Sequence, residues 1–465
     1  MEQSFPECVT AIAHAVAADG GRALLVGGTV RDMLLGGSPK DLDVEVFGLP
    51  PERLLSVVRT TRPDWVGTVG TRFGILLARY GPHDVDITVP RGDAAGWAPR
   101  DDFTAGAEPG MPLREAARRR DFTINAIGLD PLTGERFDFF DGERDLRAGV
   151  LRVTDATLFG QDPLRALRAL QFAARFNLTL EPASMAVCSA VASTPAFAEL
   201  PSARTSEEWR KLLLRAERPS VGLDLGLTMG AWHALHPQLT ALVGCPQDPE
   251  WHPEGDVWTH TGLVVDAAAA IVRREGLTGN DALVIMLGAL CHDFAKPVTT
   301  EFIDGRWRSR GHEAAGVPST HAFLSRLEFG SVVNDKVERL VADHLFPALN
   351  GASASDAAVR RLSKRLAPAT VRELVLVAEA DHRGRTLPWD GFPGAEALLE
   401  HADRLSVTTS RPQRILTGRE LIERLGWEPG PYFGPVLAAV EDAQIEGDVT
   451  NLDEALALAR RLWPA

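Results

Sequence analysis

The chain has 465 residues, of which 45% are hydrophobic and 24% charged, and its 49 basic and 63 acidic residues give a net charge of −14. This length predicts two to four domains, and the average globular composition excludes a largely disordered chain. The acidic balance argues against a general coating of nucleic acid, although it leaves room for a local basic groove.

The N-terminal residues lack a basic leader followed by a long apolar core, so no signal peptide is expected. No apolar run reaches the length of a membrane span, and no membrane partner is predicted. The four cysteines show no CxxC spacing, which favours a reduced, cytoplasmic setting and excludes a cysteine metal site. These are Cys8, Cys188, Cys245 and Cys291.

Strand-like runs, separated by Gly/Pro turns, dominate up to about residue 150, and helical periodicity dominates from residue 155 onward. The sequence therefore predicts an α+β protein: an N-terminal head with a small mixed or antiparallel sheet and helices, followed by all-α regions. The turn-rich segment 91–111 predicts a long mobile loop within the first domain. Residues 244–256, rich in proline and glycine, are interpreted as a linker.

The run ALLVGG reads as a buried strand that ends in Gly27 and Gly28. Glycines leave backbone N–H groups accessible to a phosphate, and a following helix N-terminus adds favourable partial charge. Thr29 is expected to cap that helix, and Arg31 in its first turn is expected to reach the same anion.

The next strand carries Asp41 and Asp43, whose spacing of two residues puts both side chains on one face. Paired carboxylates suit Mg²⁺, which completes its ligand shell with water and substrate phosphates. A later strand offers Asp84 or Asp86 as a third ligand. Each of these motifs alone is more often structural, since Gly-Gly turns and DxD strands are common; their combination is far more specific.

GGTVRDMLLG at 27–36, DLDVEV at 41–46, RRRDFTINAIG at 118–128 and QDPLRALRALQFAARF at 161–176 continue this pattern. Together they resemble the bacterial class II tRNA nucleotidyltransferase and poly(A) polymerase family. A histidine-rich segment farther along resembles an HD phosphohydrolase domain, fused in the order found in CCA-adding enzymes of many Gram-negative bacteria.

The resemblance implies four regions. They are a nucleotidyltransferase head at 1–150, a helical neck for base selection and RNA binding at 151–245, an HD domain at 246–385 and a helical C-terminal region at 386–465.

The resemblance also implies roles for residues of the RRD motif. Arg120, with Arg119 beside it, would bind nucleotide phosphate, Asp121 would bind the ribose, and Asn125 would hold a backbone turn.

The family resemblance assigns Asp162, Arg165 and Arg168 to the edge of the incoming base, so that protein replaces a template. The residues themselves also permit a purely structural role, because Asp162 before a proline is a strong helix start. Gln161 departs from the family, which usually has Glu there, and this puts the choice of base in doubt.

In the histidine-rich segment, adjacent His and Asp with further His and Asp at long intervals resembles an HD metal site. Imidazole and carboxylate ligands suit several divalent ions, so the sequence does not name the metal. A metal-bound water there would attack a phosphomonoester or a 2′,3′-cyclic phosphate. The expected ligands are His260, His292, Asp293 and Asp381, with His312 and His344 as further candidates.

The leading hypothesis is a tRNA 3′-end nucleotidyltransferase that uses CTP, and in a CCA-adding enzyme also ATP, with Mg²⁺. CC-only addition competes seriously with CCA addition, because segment 91–111 lacks much of the basic character that the family has there. The sequence also permits a poly(A) polymerase, a protein that is chiefly an HD phosphohydrolase and, ranked last, a non-catalytic RNA-binding protein. The oligomeric state does not follow from the sequence.

Overall fold

The computed structural model describes residues 5–39, 41–68, 76–92 and 106–463. The chain divides into two compact units. The first comprises the chain up to Pro201 together with Leu225–Ala234, and the second comprises Ser202–Asp224 together with the chain from Leu235 onward. Among the described residues, all strands except one hairpin lie in the first unit, which confirms the α+β class.

A mixed sheet, seven-stranded over the described residues, forms the centre of the first unit in the order β3-β4-β5-β2-β1-β6-β7. Strands β2 and β5 run parallel, and the other neighbours run antiparallel. The strands are β1 (Arg22–Leu25), β2 (Asp41–Phe47), β3 (Trp65–Thr68), β4 (Leu76–Tyr80), β5 (His83–Thr88), β6 (Gly128–Leu129) and β7 (Arg136–Phe137). A separate parallel pair joins β8 (Val150–Leu151) to β9 (Thr179–Leu180).

Strand β2 shows why the sheet has one apolar and one polar face. Leu42, Val44 and Val46 are buried in the core, whereas Asp41 and Asp43, which alternate with them, are more exposed. Successive side chains of a strand point to opposite faces, so the core face and the acidic face follow from this alternation. Two helices, Glu7–Ala18 and Pro51–Thr60, contribute buried residues to the same core.

The first unit also contains the following helices. They are α1 (Glu7–Ala18), α2 (Gly27–Leu34), α3 (Pro51–Thr60), α4 (Leu113–Arg118), a 3₁₀ turn (Thr123–Asn125), α5 (Gly142–Arg147), α6 (Ala156–Phe159), α7 (Leu164–Phe176), α8 (Pro182–Ala192) and α9 (Pro195–Ala198). Leu164, Leu167 and Leu170 of α7 are buried, as their helical spacing predicts.

The second unit is helical apart from a hairpin of β10 (Thr300–Ile303) and β11 (Arg306–Ser309). Its first helices are α10 (Ser202–Arg215), α11 (Ser220–Met229), α12 (Ala231–Leu235) and α13 (Pro237–Ala241), of which α11 and α12 contain the unit boundaries. Those that follow are α14 (Val257–Arg274), α15 (Gly279–Cys291), α16 (Lys296–Thr299), α17 (His312–Leu324), α18 (Ser331–Asp343), α19 (Phe346–Asn350), α20 (Asp356–Leu366), α21 (Val371–Gly384), α22 (Pro393–Arg404), α23 (Gly418–Leu425), α24 (Phe433–Glu446) and α25 (Leu452–Leu462).

One helical stretch of the described chain, Gly279–Thr299, has the length and apolar composition of a membrane span. Of its most apolar window, 83% is buried inside the protein, which is typical of a core helix. The four cysteines are buried and form no disulfide.

The fold depends on a close backbone approach at Gly142, the first residue of α5. A Cβ atom at this position would lie 2.1 Å from the carbonyl oxygen of Thr123 and 2.9 Å from Ile127. We therefore expect Gly142→Ala to destabilise the first unit by about 1–3 kcal/mol, the usual cost of overpacking. Differential scanning calorimetry would measure the loss.

Gly110→Ala is the matched control, because nothing lies within 4 Å of a Cβ atom there and Gly110 has no positive φ. Equal melting temperatures for the two variants would contradict the close approach at Gly142.

Candidate functional site

The parallel pairing of β2 with β5 gathers four aspartates on one face of the sheet. Asp41 lies opposite Asp84, and Asp43 lies opposite Asp86. Because residues two apart on a strand share a face, all four carboxylates project from the side opposite the apolar core. The two strand motifs of the sequence thus belong to one cluster.

Contacts distinguish the two candidates for a third ligand. Arg79 donates from Nε to Asp84 Oδ1 at 2.7 Å, and this hydrogen bond lowers the pKa of Asp84. Burial, together with the negative charges of Asp43 and Asp41, raises the pKa of Asp86 to about 6. A divalent cation would relieve this repulsion, so the donor set fits Mg²⁺ and favours Asp86 over Asp84.

The Gly-Gly turn lies directly against the acidic cluster. Gly27 adopts a φ of +64°, and a Cβ atom there would lie 3.3 Å from Asp43 Oδ2 and 3.2 Å from Arg120 Nη1. Only glycine combines this left-handed conformation with so close an approach. Gly28 follows, and a Cβ atom on it would lie 3.8 Å from the same Asp43 oxygen.

The expected cap at Thr29 is wrong. Helix α2 already begins at Gly27, so Thr29 lies within its first turn, where its hydroxyl is not needed as a cap. Thr29 Oγ1 instead accepts a hydrogen bond of 2.7 Å from the backbone N–H of Asp43. The threonine therefore joins the helix to the strand and fixes the backbone of a metal-ligand candidate.

Arg31 was expected to reach a phosphate, but its contacts lie within the protein. Its Nη1 donates to Asn125 Oδ1 at 2.7 Å, and its Nη2 donates to Asp32 Oδ1 at 2.7 Å. The side chain is buried, and its guanidinium lies over the rings of Phe172 and Phe176 on α7. These contacts support a positioning role for Arg31, and its phosphate contact stays a prediction.

The RRD residues connect the sheet to the neighbouring helices. Arg120 lies 3.2 Å from Glu45, and the charges of Glu45 and Asp43 raise its pKa although burial opposes this. Arg119 approaches Glu115 at 3.5 Å. Arg120 thus places a cation beside the acidic cluster, which agrees with its predicted phosphate contact.

Asp121 is buried at the junction with α7. It accepts hydrogen bonds from Asn125 Nδ2 at 2.9 Å and from Arg168 Nε at 2.7 Å. Burial would raise the pKa of Asp121, but Arg168 and Asn125 hold it below its ordinary value. Since Asn125 also accepts from Arg31, an unbroken chain of hydrogen bonds runs from Arg31 to Arg168.

The base-selection candidates lie at the start of α7. Asp162 Oδ1 accepts from the backbone N–H of Leu164 at 3.2 Å, so this aspartate does support the helix start. Arg165 donates to the carbonyl oxygens of Leu158 at 3.1 Å and Arg119 at 2.6 Å, and burial lowers its pKa. Gln161 is exposed at the surface.

The second unit brings all six predicted HD residues into one buried cluster. His260 Nε2 lies 3.0 Å from Asp381 Oδ1, and His292 Nε2 lies 3.1 Å from Asp293 Oδ2. His312 Nε2 lies 3.2 Å from Asp293 Oδ1. Helices α14, α15, α17, α18 and α21 deliver these residues, or end next to them.

The orientation of the imidazoles fits metal binding. Nδ1–H of His292 donates to the carbonyl oxygen of Ala289 at 2.8 Å, and His344 does the same to Val341 at 2.8 Å. His312 Nδ1 lies 2.6 Å from the carbonyl oxygen of Ser309. An imidazole that donates through Nδ1 leaves an unprotonated Nε2, the form that binds metals.

Two triads within the cluster have ligand atoms close enough to share an ion. One contains His260, His292 and Asp381, and the other contains Asp293, His312 and His344. Nε2 of His292 is buried, and although Asp293 Oδ2 lies 3.1 Å away, the atom makes no hydrogen bond among the described residues. An orphaned ring nitrogen aimed into a histidine and carboxylate cluster indicates a metal ligand.

The sequence reasoning missed three residues at this cluster. Glu254 Oε1 lies 2.7 Å from His260 Nδ1 and 2.8 Å from His252 Nδ1. Lys296 Nζ lies 2.7 Å from Asp293 Oδ2. The spacing of Lys296, three residues after Asp293 at a helix end, is a signal that could have identified it. Glu254 gives no such signal, because it lies in the segment interpreted as a linker.

Comparison with known proteins agrees with these two clusters. Residues 23–152 match the family model of the poly A polymerase head domain, and residues 257–385 match that of the HD domain. The chain is 33% identical over 432 residues to the multifunctional CCA protein of Xanthomonas campestris pv. campestris, covering 90% of this chain and 97% of that protein. It is 34% identical over 397 residues to the multifunctional CCA protein of Stenotrophomonas maltophilia, covering 82% and 91%.

Solved structures share the fold. The CCA-adding enzyme of Bacillus stearothermophilus in complex with CTP matches with a TM-score of 0.68 at 20% identity, over 99% of this chain and 98% of that one. The Thermotoga maritima CCA-adding enzyme complexed with tRNA-CCA matches with a TM-score of 0.59 at 18% identity, over 99% and 97%. The resemblance noted in the motifs is confirmed, and the chain is a nucleotidyltransferase that belongs to the family of multifunctional CCA proteins.

Proposed function

We propose that the first unit adds CC or CCA to the 3′ end of tRNA, from CTP and in the latter case also ATP, without a nucleic-acid template. The names of the relatives support this function. The observation that carries it is the cluster of Asp41, Asp43 and Asp86 beside the Gly27 turn and Arg120. A binding module without chemistry has no use for clustered carboxylates that repel one another.

In this proposal Asp41, Asp43 and Asp86 hold Mg²⁺, which when bound activates the attacking hydroxyl and neutralises the leaving pyrophosphate. The tRNA 3′-oxygen forms a bond to the α-phosphorus while the bond to pyrophosphate breaks. The protein positions these groups. Thr29 fixes the backbone of Asp43, and Arg120 supplies a cation at the place where phosphate would bind.

Base selection by Asp162, Arg165 and Arg168 requires a local rearrangement. Both terminal nitrogens of Arg165 now donate to backbone carbonyls, and Nε of Arg168 donates to Asp121. To bind the edge of a base, Arg165 and Arg168 would have to give up these hydrogen bonds. Only a base with the matching donors and acceptors would replace the hydrogen bonds that are lost. Such an exchange links nucleotide choice to the packing of α7.

Two features leave open whether the chain adds the terminal A after the two C residues. Gln161 has no negative charge with which to hold Arg165, and it is exposed. The altered loop, expected at 91–111, has residues 93–105 outside the described part of the chain. The domain boundaries and the assignment of single residues stay predictions.

The deciding experiment incubates the purified chain and Mg²⁺ with tRNA that lacks its CCA end, supplying each nucleoside triphosphate singly and in combination. We expect CTP alone to extend the tRNA by two nucleotides. A third nucleotide with CTP and ATP together would identify CCA addition, and its absence would identify CC addition. Processive A-tailing of generic RNA with ATP alone would contradict the proposal and favour poly(A) polymerase.

The carboxylate contacts predict different effects for two isosteric changes on one strand. Asp86→Asn should lower CMP incorporation by about 10–100-fold, because a group that binds or orients a metal is lost. Asp84→Asn should stay close to the wild-type rate, since Asp84 is engaged by Arg79 at the surface. Magnesium titrations of primer extension measure both variants. A larger loss with Asp84→Asn would overturn the assignment of the third ligand.

We further propose that the second unit is a metal-dependent phosphohydrolase. The carrying observation is the set of imidazoles whose Nδ1 atoms are held by carbonyl oxygens. The Nε2 atoms of His292 and His312 face Asp293, and that of His344 lies 3.3 Å from Nε2 of His312. His260, His292, Asp293 and Asp381, with His312 and His344, would hold the divalent ions. When bound, such ions activate water toward a phosphoester.

The two triads predict two divalent ions per chain. His344→Ala should remove one of them and lower phosphoester hydrolysis by about 10–100-fold, while CTP addition by the first unit is retained. Metal content by inductively coupled plasma mass spectrometry, together with phosphate release, measures the change. The control is His321→Ala, because His321 is 71% exposed and pairs with Glu338 at 2.8 Å, away from the six metal-ligand candidates. Unchanged metal content in His344→Ala would refute the second triad.

A further inference from the structure

Strand β2 carries a third carboxylate on the face of Asp41 and Asp43. Glu45 follows Asp43 by two residues, so its side chain projects from the same side of the sheet. Its neighbour on β5 is Thr88, whereas the two aspartates of β2 each lie opposite another aspartate. Glu45 therefore lies at the end of the acidic cluster, and neither the apolar core nor the proposed metal ligands account for a carboxylate there.

Glu45 forms an ion pair with Arg120 of the RRD motif. Glu45 Oε1 lies 3.2 Å from Arg120 Nη2, and the two side chains are 12% and 27% exposed. Both line a small cavity whose walls are mostly apolar, among them Leu24, Phe47 and Phe137. Because a partly buried ion pair is screened less than one in open solvent, this attraction holds the guanidinium in place.

The same guanidinium lies beside Asp43. A Cβ atom on Gly27 would lie 3.2 Å from Arg120 Nη1 and 3.3 Å from Asp43 Oδ2, so the two groups flank one point. Among the described residues, Arg120 nevertheless forms an ion pair with Glu45 and none with Asp43. Two carboxylates of one strand thus compete for Arg120, and Glu45 is its partner.

The choice of partner matters for a divalent cation at Asp43. An arginine paired with Asp43 would occupy carboxylate oxygens that the cation needs as ligands. Its donors would also point at the protein and be lost to a phosphate. After Glu45, Asp43 is the carboxylate whose charge acts most strongly on Arg120, so loss of the charge of Glu45 would direct the guanidinium towards Asp43.

We propose that Glu45 is a positioning residue of the nucleotidyltransferase site: it holds Arg120 away from Asp43 and so keeps the oxygens of Asp43 available to the divalent cation. The inference rests on the proposed Mg²⁺ contact of Asp43. It goes further, because it assigns a role to a side chain that needs no contact with metal or nucleotide. This role requires the charge of Glu45 and the presence of Arg120, and each can be removed separately.

The first measurement is binding of Mn²⁺ to the full chain, without nucleotide, by electron paramagnetic resonance. Asp43→Asn reports the ions that bind elsewhere on the chain, and its signal is subtracted. We expect Glu45→Gln to weaken binding at the remaining site about tenfold, the lower end of the usual loss when an outer partner of a metal site is removed. Glu45→Asp keeps the charge and should retain most of the affinity.

Arg120→Gln tests whether Glu45 acts through the arginine. In this background the further change Glu45→Gln should leave Mn²⁺ binding unchanged, because no guanidinium remains to be redirected. Equal weakening by Glu45→Gln with and without Arg120 would overturn the inference, since Glu45 would then attract the cation by its own charge. Wild-type binding in Glu45→Gln, or equal losses in Glu45→Gln and Glu45→Asp, would overturn it as well.

Glu115→Gln is the matched control. Glu115 pairs with Arg119 at 3.5 Å, so the change removes a carboxylate from the neighbouring arginine of the same motif. Mn²⁺ binding in this variant should equal that of the wild type. A loss as large as that of Glu45→Gln would show that the ion pair with Glu45 has no special role.

Primer extension on tRNA that lacks its CCA end separates this inference from the function on which it rests. With an active wild type, Glu45→Gln should need about tenfold more Mg²⁺ for half-maximal CMP incorporation. An unchanged Mg²⁺ requirement would remove the inference and keep the function. No extension by the wild type, with Mn²⁺ binding that still depends on Glu45, would keep the inference and remove the function.

Discussion

The parallel pairing of β2 with β5 is the constraint on which the first site depends. It aligns Asp41 with Asp84 and Asp43 with Asp86, so two segments distant in sequence present one acidic surface. The apolar residues between the aspartates pack into the core, and a shift of one residue would turn the carboxylates inward. The same burial that stabilises the sheet therefore fixes the register of the acidic cluster.

A second constraint is the set of hydrogen bonds that joins α2 to α7. Arg31, Asn125, Asp121 and Arg168 form a continuous series of hydrogen bonds from α2 to α7. Buried charged groups are costly unless each has a partner, and here each has one. The series joins α2, which begins at Gly27, to α7, which carries Arg165 and Arg168.

Much of the fold, and the placement of Asp41 and Asp43 on one face of a strand, could be predicted from sequence, because period-2 and helical patterns depend on local geometry. The choice between Asp84 and Asp86 could not, since both lie on the same face and only the contact with Arg79 separates them. Thr29 was misjudged because its partner, the N–H of Asp43, comes from another element.

The internal partners of Arg31 could not be predicted for a related reason. An arginine after a Gly-Gly turn suggests an anion ligand, but its acceptor Asn125 lies 94 residues away and cannot be inferred from local sequence. Glu254 was missed because a loop rich in proline and glycine gives no sign that it packs against His260. Long-range side-chain contacts are what sequence patterns fail to supply.

The histidines of the second unit have a further consequence for how the protein tolerates change. Three of them are oriented by main-chain oxygens of their own helix or adjoining turn, three residues earlier in each case. Main-chain atoms are the same whichever amino acid supplies them. The nitrogen that carries the proton in these three rings therefore does not depend on the surrounding side chains. Those side chains can change during evolution while the histidines keep the tautomer that binds metals.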